Sequence, residues 1–327
     1  MISRFRRPRS APALLALAIV AVTARPADAL VVRFFTTLGN FNVRMFTSTM
    51  PRTTTNFMNY VTGNDYDGTF IHRSARTMVD GQSVPFVVQG GGFKVPPGGL
   101  LNNSGQLSIT PITLDPPIND EPGGGLTGPS NIRGTIAMAK GGPNSATSQF
   151  FFNMRDNTGL DNPLREDGGF SAFGRVVQSG MDVVDDIGNL VRYNVGVPPV
   201  QEVPIRDFLK VQQQLDVFSS DAVLLNDIRA LNIPDGDYNF NGVVNAGDVA
   251  VWKANFGSTT NLEADGNGDG RVDGQDFLAL QRTMGQSTGA PVGAVPEPTA
   301  LALGALAAAA LACSRRAWAP RRAGLVA

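Results

Sequence analysis

The chain has 327 residues, enough for two domains, and 42% of them are hydrophobic while 17% are charged. The formal net charge is −1, but nine of the 27 basic residues lie in segments 1–29 and 299–327, so the body between them carries −9. This acidic body argues against nucleic acid as a partner, because neutralising phosphates requires clustered Lys and Arg. Cys313 is the only cysteine, which excludes an internal disulfide framework.

Residues 1–29 are typical of a secretory signal peptide. Arginines come first, the apolar run Ala13 to Val22 follows, and Ala27-Asp28-Ala29 forms a small-x-small cleavage site. A membrane anchor is the weaker alternative, because this run is shorter than the ~20 residues that span a bilayer. We therefore predict export to the cell envelope or the extracellular space.

The segment after residue 29 alternates short apolar strands with turns. Val31 to Phe46 predicts a strand, a tight turn and a second strand, and Pro51 to Val61 predicts a helix that Gly63 ends. Residues 90 to 134 are rich in Pro and Gly and predict loops, and Gly180 to Asn189 predicts a second helix. Short strands with two separate helices suggest a barrel with capping helices, although periodicity alone does not single out that fold.

Four motifs in this region carry polar and aromatic residues. They are Phe70-Ile71-His72-Arg73, the run from Phe86 to Gly91 with Gln89, the run from Arg133 to Ala139, and the run from Gly141 to Phe151 that ends in Gln149-Phe150-Phe151. Together they resemble the active-site segments of the cyclophilin family of peptidyl-prolyl cis-trans isomerases, over about residues 30 to 210. The resemblance implies a mainly β fold, a closed eight-stranded β-barrel capped by two helices, and no cofactor for catalysis.

The resemblance also implies a set of site residues. X-Pro bonds interconvert slowly because amide resonance imposes a barrier of ~18–20 kcal/mol. A guanidinium near the prolyl nitrogen and an apolar pocket for the ring favour the twisted state without proton transfer. The implied catalytic residues are Arg73, Phe86, Gln89, Gln149, Phe151 and Leu160, and the implied substrate-binding residues are Val87, Ala139, Lys140 and Phe170.

The chain departs from the family pattern at several positions. Gly159 stands where many eukaryotic members carry the Trp that contacts the inhibitor cyclosporin, Phe170 where those members carry His, and Val87 where Met is usual. Residues Ser74 to Pro85 form a longer stretch between the arginine and the pocket phenylalanine than most members have. His72 is the only histidine; a general base is one interpretation, and packing beside Arg73 is the favoured one.

Two acidic segments, 28 residues apart, have the spacing of calcium loops, with alternating oxygen ligands, a glycine at the sixth position and a carboxylate at the twelfth. The twelfth residue is Asp and no helix clearly leads into either loop, so the pair resembles a type I dockerin, which implies a cohesin-like partner. The second loop has four carboxylates against two and is predicted to bind calcium more tightly. The predicted ligands are Asp237, Asn239, Asn241, Val243, Asn245 and Asp248 in the first loop, and Asp265, Asn267, Asp269, Arg271, Asp273 and Asp276 in the second.

These repeats predict a small α-helical dockerin-like domain over residues 235–286. We expect its core to contain Val244, Val249, Trp252, Phe256, Val272, Phe277 and Leu280. Residues 211–234 are predicted to be a connector, mostly helical from residue 212, with an apolar stripe of Leu215, Phe218, Leu225, Ile228 and Leu231.

Residues 287–327 are predicted to be a linker and a sorting signal. Val295-Pro296-Glu297-Pro298 is followed by the apolar run Thr299 to Cys313 and by four arginines. This order resembles the PEP-CTERM signals of Gram-negative envelopes and implies a sorting enzyme and the envelope membrane as partners. A helix over the apolar run would reach about 22 Å, short of the ~30 Å hydrocarbon core, which favours a transient anchor over a permanent one.

The sequence thus predicts an exported peptidyl-prolyl cis-trans isomerase that acts on proline-containing polypeptides and assists folding in the cell envelope. The alternative, from a different class, is a non-catalytic surface interaction protein. It would bind proline-containing peptides and be tethered through the dockerin-like module.

Overall fold

The computed structural model describes residues 30–287 except 96–108, 122–127, 194–199, 201, 208, 210–218, 232, 260 and 268–270. The predicted signal peptide and sorting signal lie outside the described residues. Among the described residues, no helix combines the length and the apolar character that a membrane crossing requires.

The described elements form a large domain (residues 30–231) and a C-terminal module (residues 233–287). The strands are β1 (Val31–Thr36), β2 (Gly39–Met45), β3 (Thr69–Phe70), β4 (Arg73–Val79), β5 (Gln82–Gly90), β6 (Phe93–Lys94), β7 (Thr110–Pro111), β8 (Thr135–Met138), β9 (Phe150–Asn153), β10 (Ala172–Val177), β11 (Val191–Tyr193), β12 (Val203–Ile205) and β13 (Leu224–Leu231). The α-helices are α1 (Pro51–Thr62) and α2 (Gly180–Asn189) in the large domain, and α3 (Ala246–Asn255) and α4 (Gly274–Thr283) in the module.

The large domain is mainly β, as predicted. Eleven described strands form one sheet in the order β4-β5-β9-β8-β10-β2-β1-β13-β3-β6-β7, and β11 pairs with β12 alone. Strand β4 is the first in this order and β3 is near its end, yet the two strands are consecutive in the chain and only Ile71 and His72 separate them. The sheet has more strands than the eight predicted because several are only two residues long; its closure into a barrel stays a prediction.

Two helices pack on the sheet at the predicted places. Helix α1 begins at Pro51, where the missing N–H costs nothing, and Gly63 follows its last residue. Helix α2 spans the predicted residues, with Val184 and Ile187 buried. Between helices and sheet, Phe34 stacks on Phe41 at a ring-centroid distance of 5.0 Å, in a core dominated by aromatic rings.

The predicted helical connector is wrong for its described C-terminal part. Residues 224–231 form strand β13, which pairs antiparallel with β1 and belongs to the main sheet. Phe35 lies opposite Asp227 and Thr36 opposite Leu225, so a bulge leaves Asn226 without an opposite residue. Because of the bulge, Leu225 and Ile228 both face the core although they are three positions apart, and this spacing resembles that of a helix.

The C-terminal module is built from two similar halves. Val244 donates its N–H to Gln286 O (2.9 Å), and Val272, 28 residues later, donates its N–H to Ser258 O (3.0 Å). Each half therefore binds the chain that follows the helix of the other half. Gly257 and Gly285, at these crossing points, have φ values of +82° and +85°, which favour glycine.

The core of the module differs from the prediction in part. Val244, Val272 and Leu280 are buried as expected, and Val249, Trp252 and Phe277 pack against them. The prediction is wrong for Phe256, which is 59% exposed and leans on Trp252 at a ring-centroid distance of 4.9 Å. Four further residues belong to this core: Tyr238, Leu262 and Ala264 are buried, and Val251 is partly buried against them.

Candidate active site

All ten residues that the sequence assigned to catalysis and substrate binding line one pocket of about 340 Å³. The pocket lies where β4, β5 and β9 are adjacent in the sheet and is bordered by the loops that precede and follow β9. Its lining residues are Arg73, Phe86, Val87, Gln89, Ala139, Lys140, Gly141, Ser145, Thr147, Gln149, Phe151, Leu160 and Phe170.

The polar side of the pocket is a chain of hydrogen-bonded side chains. Arg73 on β4 lies opposite Gln89 on β5, and its Nη1 donates to Gln89 Oε1 at 3.4 Å. Gln89 Nε2 donates in turn to Gln149 Oε1 at 2.8 Å. On its other side, Arg73 Nε donates to Glu202 Oε2 at 3.3 Å. The guanidinium is thus held from two sides, and 42% of the arginine side chain remains exposed.

The stretch from Ser74 to Pro85 forms a longer β-hairpin and leaves the pairing at the pocket intact. The hairpin turns at Asp80 and Gly81, which have φ values of +50° and +77°. Towards the pocket, Ala75 lies opposite Val87 and Arg76 opposite Pro85, so Phe86 is the extra residue of a bulge. Because side chains otherwise alternate between the two faces of a strand, the bulge allows Phe86 and its neighbour Val87 to line the same pocket.

The apolar wall of the pocket is tied together by ring and backbone contacts. Phe151 meets Phe170 edge to face at a centroid distance of 5.5 Å, and Phe170 N donates to Leu160 O at 2.8 Å. Lys140 has a buried side chain, 1% exposed, which pairs with Asp120 at 2.6 Å. The Lys140 side chain is therefore used in the ion pair.

His72, next to the arginine, is buried in the core. Its ring meets Phe93 edge to face at 5.0 Å, and its exposed fraction is 0%. Burial, and in second place the charge of Arg73, lowers the pKa of His72 to about 4. The imidazole is neutral near pH 7 and does not line the pocket, which supports packing over a general-base role.

Four residues near the arginine were not assigned from the sequence. Gly141, Ser145 and Thr147 line the pocket and lie inside the motif that ends in Gln149-Phe150-Phe151. Treating every residue of that motif as a candidate pocket residue would have found them. Glu202 lies 129 positions from Arg73 and belongs to none of the motifs. At Gly159, a Cβ would meet no heavy atom within 4 Å, so the position of the family's Trp is open space.

The predicted calcium loops of the module carry buried carboxylates in equivalent places. The side chains of Asp237 and Asp265, at the first positions, and of Asp248 and Asp276, at the twelfth, are at most 2% exposed. Burial is the largest cause of a raised pKa of Asp237. Carboxylate and amide oxygens are the ligands that Ca²⁺ prefers, so the chemistry of these donors fits a calcium ion.

Backbone amides of each loop donate hydrogen bonds to its carboxylates. Asp237 accepts from Asn241 N at 3.1 Å and Gly242 N at 2.8 Å, and Asp248 accepts from Tyr238 N at 2.8 Å. Gly242, at the sixth position, has a φ of +86°, as the predicted sharp turn requires. The described residues contain no group of three or more acidic, His or Cys side chains poised around one point; the first loop has only two carboxylates, and Asp269 lies outside the described residues.

The ninth positions of the loops cap the helices that follow. Asn245 accepts from Gly247 N at 2.7 Å and Asp273 accepts from Gln275 N at 2.7 Å, so each side chain begins a helix. The remaining described predicted ligands, Asn239, Asn241, Val243, Asn267 and Arg271, lie along the two loops between these carboxylates and caps.

Comparison with known proteins identifies both parts of the chain. The family model described as cyclophilin type peptidyl-prolyl cis-trans isomerase/CLD matches residues 31–209, more than half of the chain. The chain belongs to the cyclophilin-type peptidyl-prolyl isomerase family. The model of the type I dockerin domain matches residues 235–285, so this cyclophilin carries a dockerin module.

Three curated relatives of this cyclophilin come from bacteria. The peptidyl-prolyl cis-trans isomerase of Acinetobacter baylyi is 36% identical over 178 residues, which cover 52% of this chain and 81% of the relative. Peptidyl-prolyl cis-trans isomerase A of Dickeya dadantii is 38% identical over 170 residues, 52% of this chain and 75% of the relative. Peptidyl-prolyl cis-trans isomerase B of Escherichia coli is 34% identical over 181 residues, 54% of this chain and 94% of the relative.

The dockerin module contacts the cyclophilin sheet through its loops. Arg44 on β2 is 4% exposed, and its Nη1 donates to the carbonyls of Glu263 (3.2 Å) and Asp265 (2.6 Å). Its guanidinium also lies over the ring of Tyr238, 5.4 Å from the centroid. Gln178 adds a bond from Nε2 to Asn239 O at 2.7 Å. The first residue of the second predicted calcium loop, Asp265, thus accepts a hydrogen bond directly from the cyclophilin domain.

Proposed function

We propose that this isomerase catalyses the cis-trans isomerisation of X-Pro bonds in polypeptides at the pocket around Arg73. The observation that carries the proposal is the convergence of the ten residues implied by the family resemblance on one pocket. Arg73, Phe86, Gln89, Gln149, Phe151 and Leu160 are the proposed catalytic residues, and Val87, Ala139, Lys140 and Phe170 bind the substrate.

In the proposed mechanism, the pocket favours the twisted state of the X-Pro amide. Phe86, Phe151 and Leu160 hold the proline ring, and Arg73 donates to the prolyl nitrogen, whose lone pair is released as the amide loses its resonance. The donor stays charged throughout, because a guanidinium does not lose its proton in a protein. Gln149 and the main chain of residues 139 and 140 bind the substrate backbone. These roles use electrostatic stabilisation and positioning and require no cofactor.

The test measures isomerisation of a proline-containing peptide by the full chain. Arg73→Ala should lower kcat/KM on the order of 10²-fold, the usual loss when one preorganised donor is removed. Arg76→Ala is the matched control, since Arg76 lies on the same hairpin but binds Ser83 and is absent from the pocket lining. Full activity in a folded Arg73→Ala protein would refute the assignment. Peptide binding without turnover in the unmodified chain would favour the non-catalytic alternative.

We also propose that the dockerin module binds calcium through its two loops and docks a cohesin-like protein. The buried first and twelfth carboxylates of each loop support the proposal. The ion would be held by these carboxylates together with the amide and carbonyl oxygens between them. Calorimetric titration of the full chain with calcium, with Asp265→Ala as the variant, tests the metal; no heat change attributable to binding would contradict it.

We further propose that the protein is exported and assists folding in the cell envelope, held there for a time by its C-terminal segment. The order of arginines, apolar run and small residues in positions 1–29, and the dockerin match, support export. Mass spectrometry of the protein from its native cells should find a mature N-terminus at Leu30 and a C-terminus before Arg315. An intact Met1 would contradict export through this signal.

A further inference from the structure

Glu202 lies beside the pocket arginine and is not part of the apolar pocket wall. Its Oε2 accepts from Arg73 Nε at 3.3 Å and its Oε1 accepts from Arg192 Nη1 at 2.9 Å. We propose that Glu202 is a positioning residue that orients the guanidinium of Arg73 for isomerisation. The inference rests on the proposed function of Arg73 at this pocket.

The backbone fixes where the Glu202 side chain begins. Ser74 N donates to Glu202 O at 2.7 Å, and Arg73 and Glu202 form an isolated parallel bridge. Strand β12, which follows directly, has Val203 and Ile205 buried in a cluster with Phe70. The carboxylate therefore reaches Arg73 from a segment anchored both to β4 and to the core, which is the support that a precise site requires.

The two hydrogen bonds of Arg73 are donated by different nitrogens of its rigid, planar guanidinium. An arginine has five N–H donors in a fixed fork, of which one on Nε is directed to Glu202 and one on Nη1 to Gln89. Holding both nitrogens restricts rotation of the plane, and the other donors stay available to a substrate. Without Glu202, the arginine would keep one contact and could turn about it.

The charge of Glu202 is shared, so it does not cancel that of Arg73. The carboxylate lies between two arginines, and the three side chains together keep a net positive charge. Their exposed fractions are between 30% and 42%, so water screens the pairs and their effect on global stability is small. A loss of activity after removing Glu202 would thus report orientation of Arg73 and not unfolding.

The experiment is a double-mutant cycle on the full chain. Glu202→Ala should lower kcat about fivefold while KM stays near that of the unmodified chain, because Arg73 acts in the twisted state. In an Arg73→Ala background, Glu202→Ala should have no further effect. Equal fold losses in both backgrounds would mean that Glu202 acts through the structure and not through Arg73, and would overturn the inference.

Two further variants sharpen the result. Glu202→Gln keeps the length of the side chain and an oxygen that accepts from Arg73 Nε, so its kcat should lie between those of Glu202→Ala and the unmodified chain. A value at or below that of Glu202→Ala would contradict positioning by an accepted hydrogen bond. Asp185→Ala is the matched control, since Asp185 is a comparably exposed carboxylate, 31% against 30%, that pairs with Arg133; its kcat should not change.

The outcome separates this inference from the proposed function. If Arg73→Ala retains full activity, the role of Arg73 fails and the role of Glu202 fails with it. If Arg73→Ala loses activity and Glu202→Ala does not, only the inference about Glu202 is wrong.

Discussion

The proposed catalytic pocket and the predicted calcium loops differ in how far their charged side chains are exposed. In the pocket, Arg73 keeps 42% of its side chain exposed and is balanced by neighbouring side chains. In the loops, four carboxylates are at most 2% exposed, among them Asp248 and Asp276 at 0%. A buried carboxylate is costly unless positive charge or hydrogen bonds compensate it, so a calcium ion bound in the predicted loops would add to the stability of the module. The two regions should therefore respond differently to calcium.

The largest expected effect is a loss of thermal stability of the dockerin module when calcium is removed. A ligand present at about 1,000 times its dissociation constant stabilises a fold by ~4 kcal/mol, and the small core of the module has little else to rely on. Chelator should lower the unfolding temperature of the module in calorimetry and leave peptide isomerisation unchanged. Asp265→Ala with Asp276→Ala should reproduce the effect of chelator.

An identical unfolding profile with calcium and with chelator would show that the loops are only polar turns. A parallel loss of isomerase activity would instead break the comparison, because it would mean that the pocket depends on the module.

The second effect is a fall in the stability of the cyclophilin domain in acid. His72 has a pKa of about 4 in the folded chain and ~6.5 when unfolded, so below pH 6.5 the unfolded state binds more protons. The free energy of unfolding should therefore decrease as pH falls from about 6.5 to 4, by on the order of 3 kcal/mol. Denaturant unfolding of His72→Leu should show a shallower decrease over this range, and an unchanged slope would contradict the role of His72.

The third effect concerns the contact between the two regions. Arg44→Met keeps the apolar stem of the side chain but removes the donors to the carbonyls of Glu263 and Asp265. Hydrogen bonds that involve a charged group contribute ~1.5–3 kcal/mol to the free energy of unfolding. In calcium, the variant should unfold its module at a lower temperature, with isomerisation unaffected. Arg33→Met is the matched control, since Arg33 lies on the neighbouring strand and binds Asn42 within the cyclophilin domain. Equal shifts in both variants would mean that Arg44 does not hold the module.

Much of the pocket could be predicted because its residues lie in short motifs on neighbouring strands. Gln89 is opposite Arg73 and Phe151 is opposite Gln89, so three motifs meet by strand pairing alone. Glu202 could not be found in this way, because its place depends on how a distant strand returns to β4. The contact between Arg44 and the module depends likewise on the packing of two domains, which no local pattern encodes.

The fold could be predicted where a local signal agrees with the final structure. Pro51 and an apolar stripe mark α1, and both bounds of α2 match the expectation. Strand β13 was missed because the bulge at Asn226 gives Leu225 and Ile228 the spacing of a helix. The exposed position of Phe256 was missed because the sequence does not show which aromatic residues of a small core stay at its surface.

The smallest expected effect is at the rim of the pocket. Gly159 is exposed and precedes Leu160, which lines the pocket, and a side chain there would meet no heavy atom within 4 Å. The unmodified chain should bind cyclosporin weakly, and Gly159→Trp should tighten binding about tenfold, since an indole adds apolar area beside the pocket. Gly274→Trp is the matched control, because Gly274 has equally open space but lies in the dockerin module. If calorimetry finds equal affinities for the unmodified chain and Gly159→Trp, then the β4–β5 hairpin or the loops beside β9 already provide the contact with cyclosporin that the indole would add.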